Sequence, residues 1–379
     1  MHRHHRVKAV RIGLIGAGFM GKTHALAYRS VGGVFRLPVQ PALELLADVT
    51  PEAAAAAARD FGFARSTGDW RALVSDPQVD VVSVTTPNSL HVPMALAAIA
   101  AGKHVHCEKP LAPSAPQALE LADAARKADV ITQVGFNYLK NPLLALAREI
   151  IASGEIGDIV SFRGIHAEDY MADAATPWHF RMDPAGGGGV VADLGSHIIA
   201  IARHLLGPIS EVCGRLETVI KERPEAPGSS RMRPVEVDDI AHAMVRFARG
   251  CVGTIEASWL SRGRKMQIEF EVVGSKGALA FSQERLNELQ LYRVEADSSH
   301  NGFRTIVAGP EHPPYGSFCV APGHQLGFND LKAIEMRDFL LAIAGEPVKG
   351  PNFREGFEVQ KLVDAIIQSS RERAWLRVD

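Results

Sequence analysis

In the first third of the chain, short apolar runs alternate with stretches of helical character. Residues 12–15, 43–47, 79–85, 103–107 and 130–136 have the length and near-continuous apolar character of strands buried on both faces. Residues 20–28, 51–61, 69–74, 91–101 and 114–128 read as helices between them. Thr50 and Pro51 predict an N-cap and first helical position, Ser114 a second cap, and Gly102 a helix stop. A loop-like insert is expected over 32–41. Repeated strand–helix units of this kind predict an α/β fold with a parallel, doubly wound sheet.

After Gly154 the pattern changes. Long strands are expected at 159–167, 212–221, 240–247, 252–259, 266–273 and 289–294, with hairpin turns at 248–250 and 274–277. They predict a second α/β domain built on a large, open, mostly antiparallel sheet. A helix over 192–206, ended by Gly207, interrupts the strands, and helices over 330–344 and 354–373 finish the chain. Residues 222–234 and 300–323, rich in Pro, Gly and polar residues, read as surface loops. The division is expected between 1–136 and 137–379, with the last helices free to pack back on the first domain.

Bulk properties narrow the functions. At 379 residues the chain is long enough for two domains with full cores. A net charge of −2 without a basic face argues against nucleic acid as a partner. No apolar run approaches the ~18–20 residues a membrane span needs. The first ten residues carry charge but no signal-peptide apolar core, and His2, His4 and His5 read as a frayed tail. Cys107, Cys213, Cys251 and Cys319 are scattered, with no C-x-x-C spacing. Reduced thiols, a cytoplasmic setting and no metal site follow as expectations.

The chemistry begins at the end of the first strand. Gly16-Ala17-Gly18-Phe19-Met20-Gly21 is G-x-G-x-x-G between a strand and a helix. Gly16 permits the tight turn, Gly18 close approach of the backbone to a pyrophosphate, and Gly21 packing of helix on strand. The positive end of the helix dipole then faces the phosphates. Asp48 closes the next strand, where a carboxylate accepts hydrogen bonds from the ribose hydroxyls and repels a 2′-phosphate. No Lys or Arg follows it closely, so NAD is expected rather than NADP. Ligands bind at the carboxyl ends of such strands, which puts Thr86, Pro87, Asn88, His91, Glu108, Lys109, Asn137 and Tyr138 on the cofactor rim.

In the second domain, Gly186–Gly189 precedes the helix that carries Asp193 and His197. At ~100° per residue these two side chains share a stripe, beside the apolar stripe of Leu194, Ile198, Ile201 and Leu205. They form either an exposed ion pair or a grip on one ligand, with the glycines leaving room for a ring. Lys109 is either a solvated charge or, on the rim, the positive group that stabilises a developing alkoxide. Oxidation of an alcohol also needs a proton acceptor, and His197 suits that task near neutral pH. Asp193 then orients the substrate through a second hydroxyl.

Gly16-x-Gly18-x-x-Gly21, Glu108-Lys109-Pro110 and Asp193-x-x-x-His197 together resemble the glucose–fructose oxidoreductase / inositol dehydrogenase / rhizopine catabolism (Gfo/Idh/MocA) family, over essentially the whole chain. Gly135-Phe136-Asn137-Tyr138 and the Pro-Gly-His-Gln run ending at Gln325 resemble its inositol and L-glucose dehydrogenase-like branch. The resemblance implies an N-terminal Rossmann domain and a C-terminal substrate domain whose open sheet forms a homodimer or homotetramer. It implies hydride transfer between nicotinamide and a sugar or cyclitol carbon. By motif, Lys109 is the catalytic lysine, Asp193 and His197 the substrate-binding acid/base pair, and Glu108 the contact to the nicotinamide ribose. Pro110 is expected after a cis bond. Asn137, His166, Trp178, Arg181 and His324 are further candidates for lining the substrate. Alternative readings are a catalytically silent sugar or nucleotide sensor of the same fold, and an enzyme acting on an imine or tetrapyrrole. The intact Lys109, Asp193 and His197 weigh against the first, and the polar lining against the second.

Overall fold

Strand β1 (Lys8–Ile15), buried from Ile12 to Ile15, lies in the middle of a six-stranded parallel sheet in the computed structural model, which describes residues 8–347 and 350–378. His2, His4 and His5 lie outside the described residues. The other strands are β2 (Val39–Ala47), β3 (Arg65–Thr67), β4 (Val81–Val84), β5 (His104–Cys107) and β6 (Thr132–Val134). Their order is β3-β2-β1-β4-β5-β6, every pair parallel. The order reverses between β1 and β4, and such a switch point opens a crevice at the carboxyl ends of the strands.

Helices α1 (Phe19–Val34), α2 (Pro51–Phe61), α3 (Trp70–Ser75), α4 (His91–Ala100) and α5 (Ala115–Ala128) connect these strands. Thr50 caps α2 as its sequence predicts, its Oγ1 accepting from Ala53 N at 3.1 Å, with Pro51 in the first turn. The insert expected over 32–41 is almost absent. The helix runs on to Val34 through two glycines, and β2 begins at Val39. A Cβ on Gly32 would lie 2.2 Å from Gln40 Oε1 and would push the end of that side chain aside. The run expected at 130–136 gives only a three-residue strand, followed by a 3-10 turn over Asn137–Lys140.

The chain divides into two compact units, Met1–Lys140 with Gly327–Phe357, and Asn141–Leu326 with Glu358–Asp379. The second contains α6 (Pro142–Ala152) and strands β7 (Ile159–Ala167), β8 (Ile209–Glu217), β9 (Glu222–Pro224), β10 (Met232–Pro234), β11 (Ile240–Phe247), β12 (Val252–Ser258), β13 (Gln267–Gly274), β14 (Gly277–Ser282), β15 (Glu288–Arg293), β16 (Phe303–Val307) and β17 (Leu376–Arg377). Nine of these form one sheet in the order β16-β15-β14-β13-β7-β12-β11-β8-β17, while β9 and β10 pair as a separate ribbon. Within this nine-stranded sheet, among the described residues, only β7 and β12 pair in parallel. Two stretches expected as loops therefore carry strands: β9 and β10 within 222–234, and β16 within 300–323. The strand β14 behind the expected hairpin turn at 274–277 is an addition to the sequence reading.

A continuous helical segment begins with a π-helical turn over Val191–Gly195 and continues as α7 (Ser196–Leu206), ended by Gly207. It is buried almost all round. Helices α8 (Phe328–Ile343) and α9 (Phe353–Glu372) close the chain. Helix α8 belongs to the first unit, and the buried residues along it include Lys332, Glu335 and Asp338. None of the described helices is long and apolar enough to cross a membrane.

Candidate active site

The first cluster forms at the carboxyl end of the parallel sheet. Gly16, at φ +96°, makes the turn out of β1, and Thr85 Oγ1 after β4 sits 2.8 Å from its carbonyl oxygen. A Cβ on Gly21 would lie 2.0 Å from that same oxygen, so the first turn of α1 packs here only with glycine. Gly18 is exposed, and nothing lies within 4 Å of where its Cβ would be. Gly18, the N-cap of α1, has no side chain to cap it. The helix N-terminus is thus open to an anion, which fits a dinucleotide pyrophosphate. Phe19 is exposed and stacks on Phe328 of α8 at 5.9 Å, and Met20 is half-buried. Asp48 is half-buried at the end of β2. Its Oδ2 accepts from Ala17 N at 3.1 Å and its Oδ1 from Val49 N at 2.6 Å, which ties it to the glycine turn.

Around the next strand ends the structure separates presenting residues from supporting ones. Thr86 is half-buried and Asn88 buried in a short 3-10 turn. His91 is buried, with Nδ1 2.8 Å from the Pro110 carbonyl and Nε2 2.9 Å from the Thr86 carbonyl. Burial lowers its pKa, against the pull of the two carbonyls. Its side chain therefore ties two rim loops together rather than facing outward. Lys109 is half-buried, and the Lys109–Pro110 peptide bond is cis. Asn137 is buried, and its Nδ2 donor has no partner among the described residues.

Glu108 turns inward. Its Oε1 lies 2.8 Å from His24 Nε2 on α1 and 2.8 Å from Lys332 Nζ on α8. Lys332 Nζ is also 2.5 Å from Glu335 Oε2, an ion pair with angles poor for a hydrogen bond. His106 stacks on His24 at 4.5 Å. All five side chains are buried. Burial would raise the Glu108 carboxyl, yet the Lys332 charge and the His24 hydrogen bond hold it well below the usual carboxylate range. For Lys332, burial works downward, and Glu108 and Glu335 together raise it above the usual lysine value. Burial, then the charges near His106 and Lys332, lower His24 to about 3. His24 is therefore neutral and donates Nε2–H to Glu108, leaving Nδ1 a bare lone pair without a partner among the described residues.

This histidine gives a pH prediction. The unfolded chain binds a proton at His24 near pH 6.5, while the folded chain resists it down to about 3. The unfolded state thus holds the extra proton between these values, and stability falls as pH drops through this window. The loss is on the order of a few kcal/mol. Asp238 in the second unit has the opposite sign, because burial raises it to about 6, so its contribution is lost as pH rises. Thermal melts at pH 7.5 and pH 5 should show a loss of Tm in the wild type and a smaller loss in His24→Gln. Equal losses would assign the acid sensitivity elsewhere.

The second cluster lies at the π turn. Val190 N donates to the Asp238 carbonyl at 2.9 Å and Val191 N to Asp238 Oδ2 at 2.8 Å, so a residue distant in sequence caps this helix. The glycines before it serve packing. A Cβ on Gly188 would lie 2.3 Å from the Arg181 carbonyl, and one on Gly189, at φ +111°, 2.3 Å from Asp238 Oδ1. The sequence reading of these glycines as room for a ring is replaced by this constraint.

The spacing argument for Asp193 and His197 also changes, since a π turn advances less than 100° per residue. Asp193 Oδ2 accepts from Tyr170 Oη at 2.6 Å and from Arg181 Nε at 3.1 Å. The Leu194 carbonyl, inside the same turn, lies 2.9 Å from His166 Nδ1, and His166 Nε2 lies 2.9 Å from Glu168 Oε1. The His166 and His197 rings lie 5.5 Å apart. The structure thus brings together Asp193, His197, His166 and Arg181 of the sequence candidates. Trp178 instead packs under the Arg233 guanidinium at 3.3 Å, with its backbone N–H on the Pro224 carbonyl. His324 is exposed in its loop. Sequence reasoning missed Tyr170, His24 as a side chain with a task, and Lys332. Tyr170 carried a faint signal, its place just past the end of β7.

A glycine-turn dinucleotide site on a parallel sheet and a separate α/β unit with a buried carboxylate–histidine cluster define an NAD-binding oxidoreductase. The comparisons agree. Residues 10–136 match the family described as oxidoreductase, NAD-binding Rossmann fold, and residues 144–280 match the GFO/IDH/MocA C-terminal domain. The chain is 40% identical to levoglucosan dehydrogenase of Pseudarthrobacter phenanthrenivorans, over 97% of this chain and 98% of that one. It is 28% identical to inositol 2-dehydrogenase of Acidothermus cellulolyticus, over 96% and 93%. A solved levoglucosan dehydrogenase in complex with NADH and levoglucosan superposes with a TM-score of 0.94 at 40% identity, covering 98% of this chain and 100% of that one. The chain belongs to the Gfo/Idh/MocA family and is an NAD-dependent sugar or polyol dehydrogenase.

Proposed function

We propose that the enzyme oxidises a secondary alcohol of a six-membered polyhydroxylated ring, a pyranose or an inositol, with an anhydropyranose such as levoglucosan first among the compounds to test. The observation that carries this reading is the Tyr170–Asp193–Arg181 group beside His166 and His197, a dense set of donors and acceptors suited to neighbouring hydroxyls. When bound, NAD supplies the hydride acceptor, and Gly16, Gly18, Gly21 and Asp48 are the residues that hold it. His197 takes the hydroxyl proton, the Lys109 ammonium stabilises the developing alkoxide, and Asp193 fixes an adjacent hydroxyl. A site that bonds several hydroxyls rejects analogues lacking one, because its own polar groups are left unpaired. Turnover of levoglucosan, myo-inositol, glucose and xylose with NAD, followed by NADH absorbance, should exceed that of linear alcohols and 2-hydroxy acids. The reverse order would sink the reading.

The cofactor preference follows from Asp48. Both its oxygens accept backbone N–H groups, so it is fixed in place, and Val49-Thr50-Pro51 behind it offers no cation to a 2′-phosphate. NADP should bind roughly tenfold or more weaker than NAD, about 1.4 kcal/mol. Titrating each into the apo protein by intrinsic fluorescence measures this, and equal affinities would contradict it.

A further inference from the structure

The tripeptide Glu108-Lys109-Pro110 is gripped on both sides of Lys109. On one side, Glu108 Oε1 receives His24 Nε2 and Lys332 Nζ, both at 2.8 Å. On the other, the Pro110 carbonyl lies 2.8 Å from His91 Nδ1. Beneath the Glu108 carboxylate is Gly135, where a Cβ would come within 2.5 Å of both its oxygens. The carboxylate therefore has one seat, and its donors come from the helix of the glycine fingerprint and from the helix that returns to this unit late in the chain. His24, His106 and Glu108 also offer ligand atoms within 4.8 Å of one another, as a divalent cation would need. The Lys332 ammonium already supplies the positive charge on the shared oxygen, and it bridges to Glu335.

We propose that His24 and Lys332 are positioning residues for Lys109: they hold the Glu108 side chain, and through it the backbone that presents the Lys109 amine. This rests on the reading of Lys109 as the alkoxide-stabilising group. It makes a buried cluster with no substrate contact a determinant of turnover, and it links the first helix of the cofactor site to the reacting lysine.

His24→Leu removes the donor to Glu108, and His24→Gln restores an N–H near the same place. His24→Leu should lower kcat with levoglucosan about 10²-fold, the cost of misplacing a reacting group by about 1 Å. NADH affinity should stay within about threefold, and His24→Gln should recover kcat to within about threefold of wild type. Crystal structures should show the Lys109 Cα displaced by about 1 Å in the Leu variant and in place in the Gln variant. The double variant Lys332→Met/Glu335→Gln, which removes one charge of each sign, should reproduce the kcat loss if His24→Leu fails to fold. Wild-type kcat in His24→Leu or in the double variant, or an unmoved Lys109 in either, overturns the proposal. Should Lys109→Ala keep full activity, or levoglucosan not react at all, the functional reading fails in that part, and the crystal comparison still decides whether His24 and Lys332 hold the tripeptide.

Discussion

Lys109→Ala should lower kcat by roughly 10²–10⁴ while the affinity for NADH changes little. Lys109 follows the last residue of β5 by two positions, at the carboxyl end of the parallel sheet where ligands of this architecture bind. The transition state of alcohol oxidation builds negative charge on the oxygen before the hydride has left. A fixed ammonium stabilises that charge more than it stabilises the neutral alcohol, so its loss falls on kcat. On the proposed reading the pyrophosphate and ribose are held elsewhere, by the open N-terminus of α1 and by Asp48, so those contacts should survive the substitution. Steady-state turnover on a confirmed substrate and an NADH titration separate the two effects. Turnover near wild type would remove Lys109 from the mechanism, and a large loss of NADH affinity would recast it as a cofactor ligand.

Lys332→Met should cost about 3–5 kcal/mol of stability, a fall in Tm on the order of 10 °C. Lys332 is fully buried between two carboxylates, Glu108 and Glu335. Methionine fills most of the same volume but leaves both carboxylates without their cation. Breaking a buried pair from one side is worse than removing it, because the remaining charge keeps its desolvation cost. Adding Glu335→Gln should recover part of the loss. Denaturant titrations of wild type, single and double variants measure this. A single variant within about 1 kcal/mol of wild type would show that the cluster is not a cohesive ion network.

What the chain reveals by itself is what depends on neighbours in sequence. The glycine fingerprint, the Thr50 cap and Lys109 are local, and periodicity placed the strands that carry them. Residues that meet only in three dimensions stayed hidden. His24 and Glu108 are 84 positions apart, and Lys332 and Glu108 are 224 apart. Nothing in α8 separates Lys332 from an ordinary surface lysine until the helix is seen buried all round. Strand β16 escaped because it is an edge strand with almost no buried face, so neither alternation nor an apolar run marks it. The Asp193–His197 pair was found with the wrong geometry, since a 3.6-residue period was applied to a turn that is wider.

That wider turn separates two addresses along one helix. A π turn holds one residue more than an α turn over the same rise, so it acts as a phase shift written into the chain. Everything after it, His197 included, keeps the register of α7 on the sheet. Asp193 sits inside the turn, where the wider spacing sets its direction relative to α7, and there it meets Tyr170 and Arg181. Deleting Leu194 or Gly195, between Asp193 and α7, would reset the phase and swing the carboxylate round by about 100° without moving the histidine. The two ends of this helical segment can therefore be retuned separately, by length rather than by side chain.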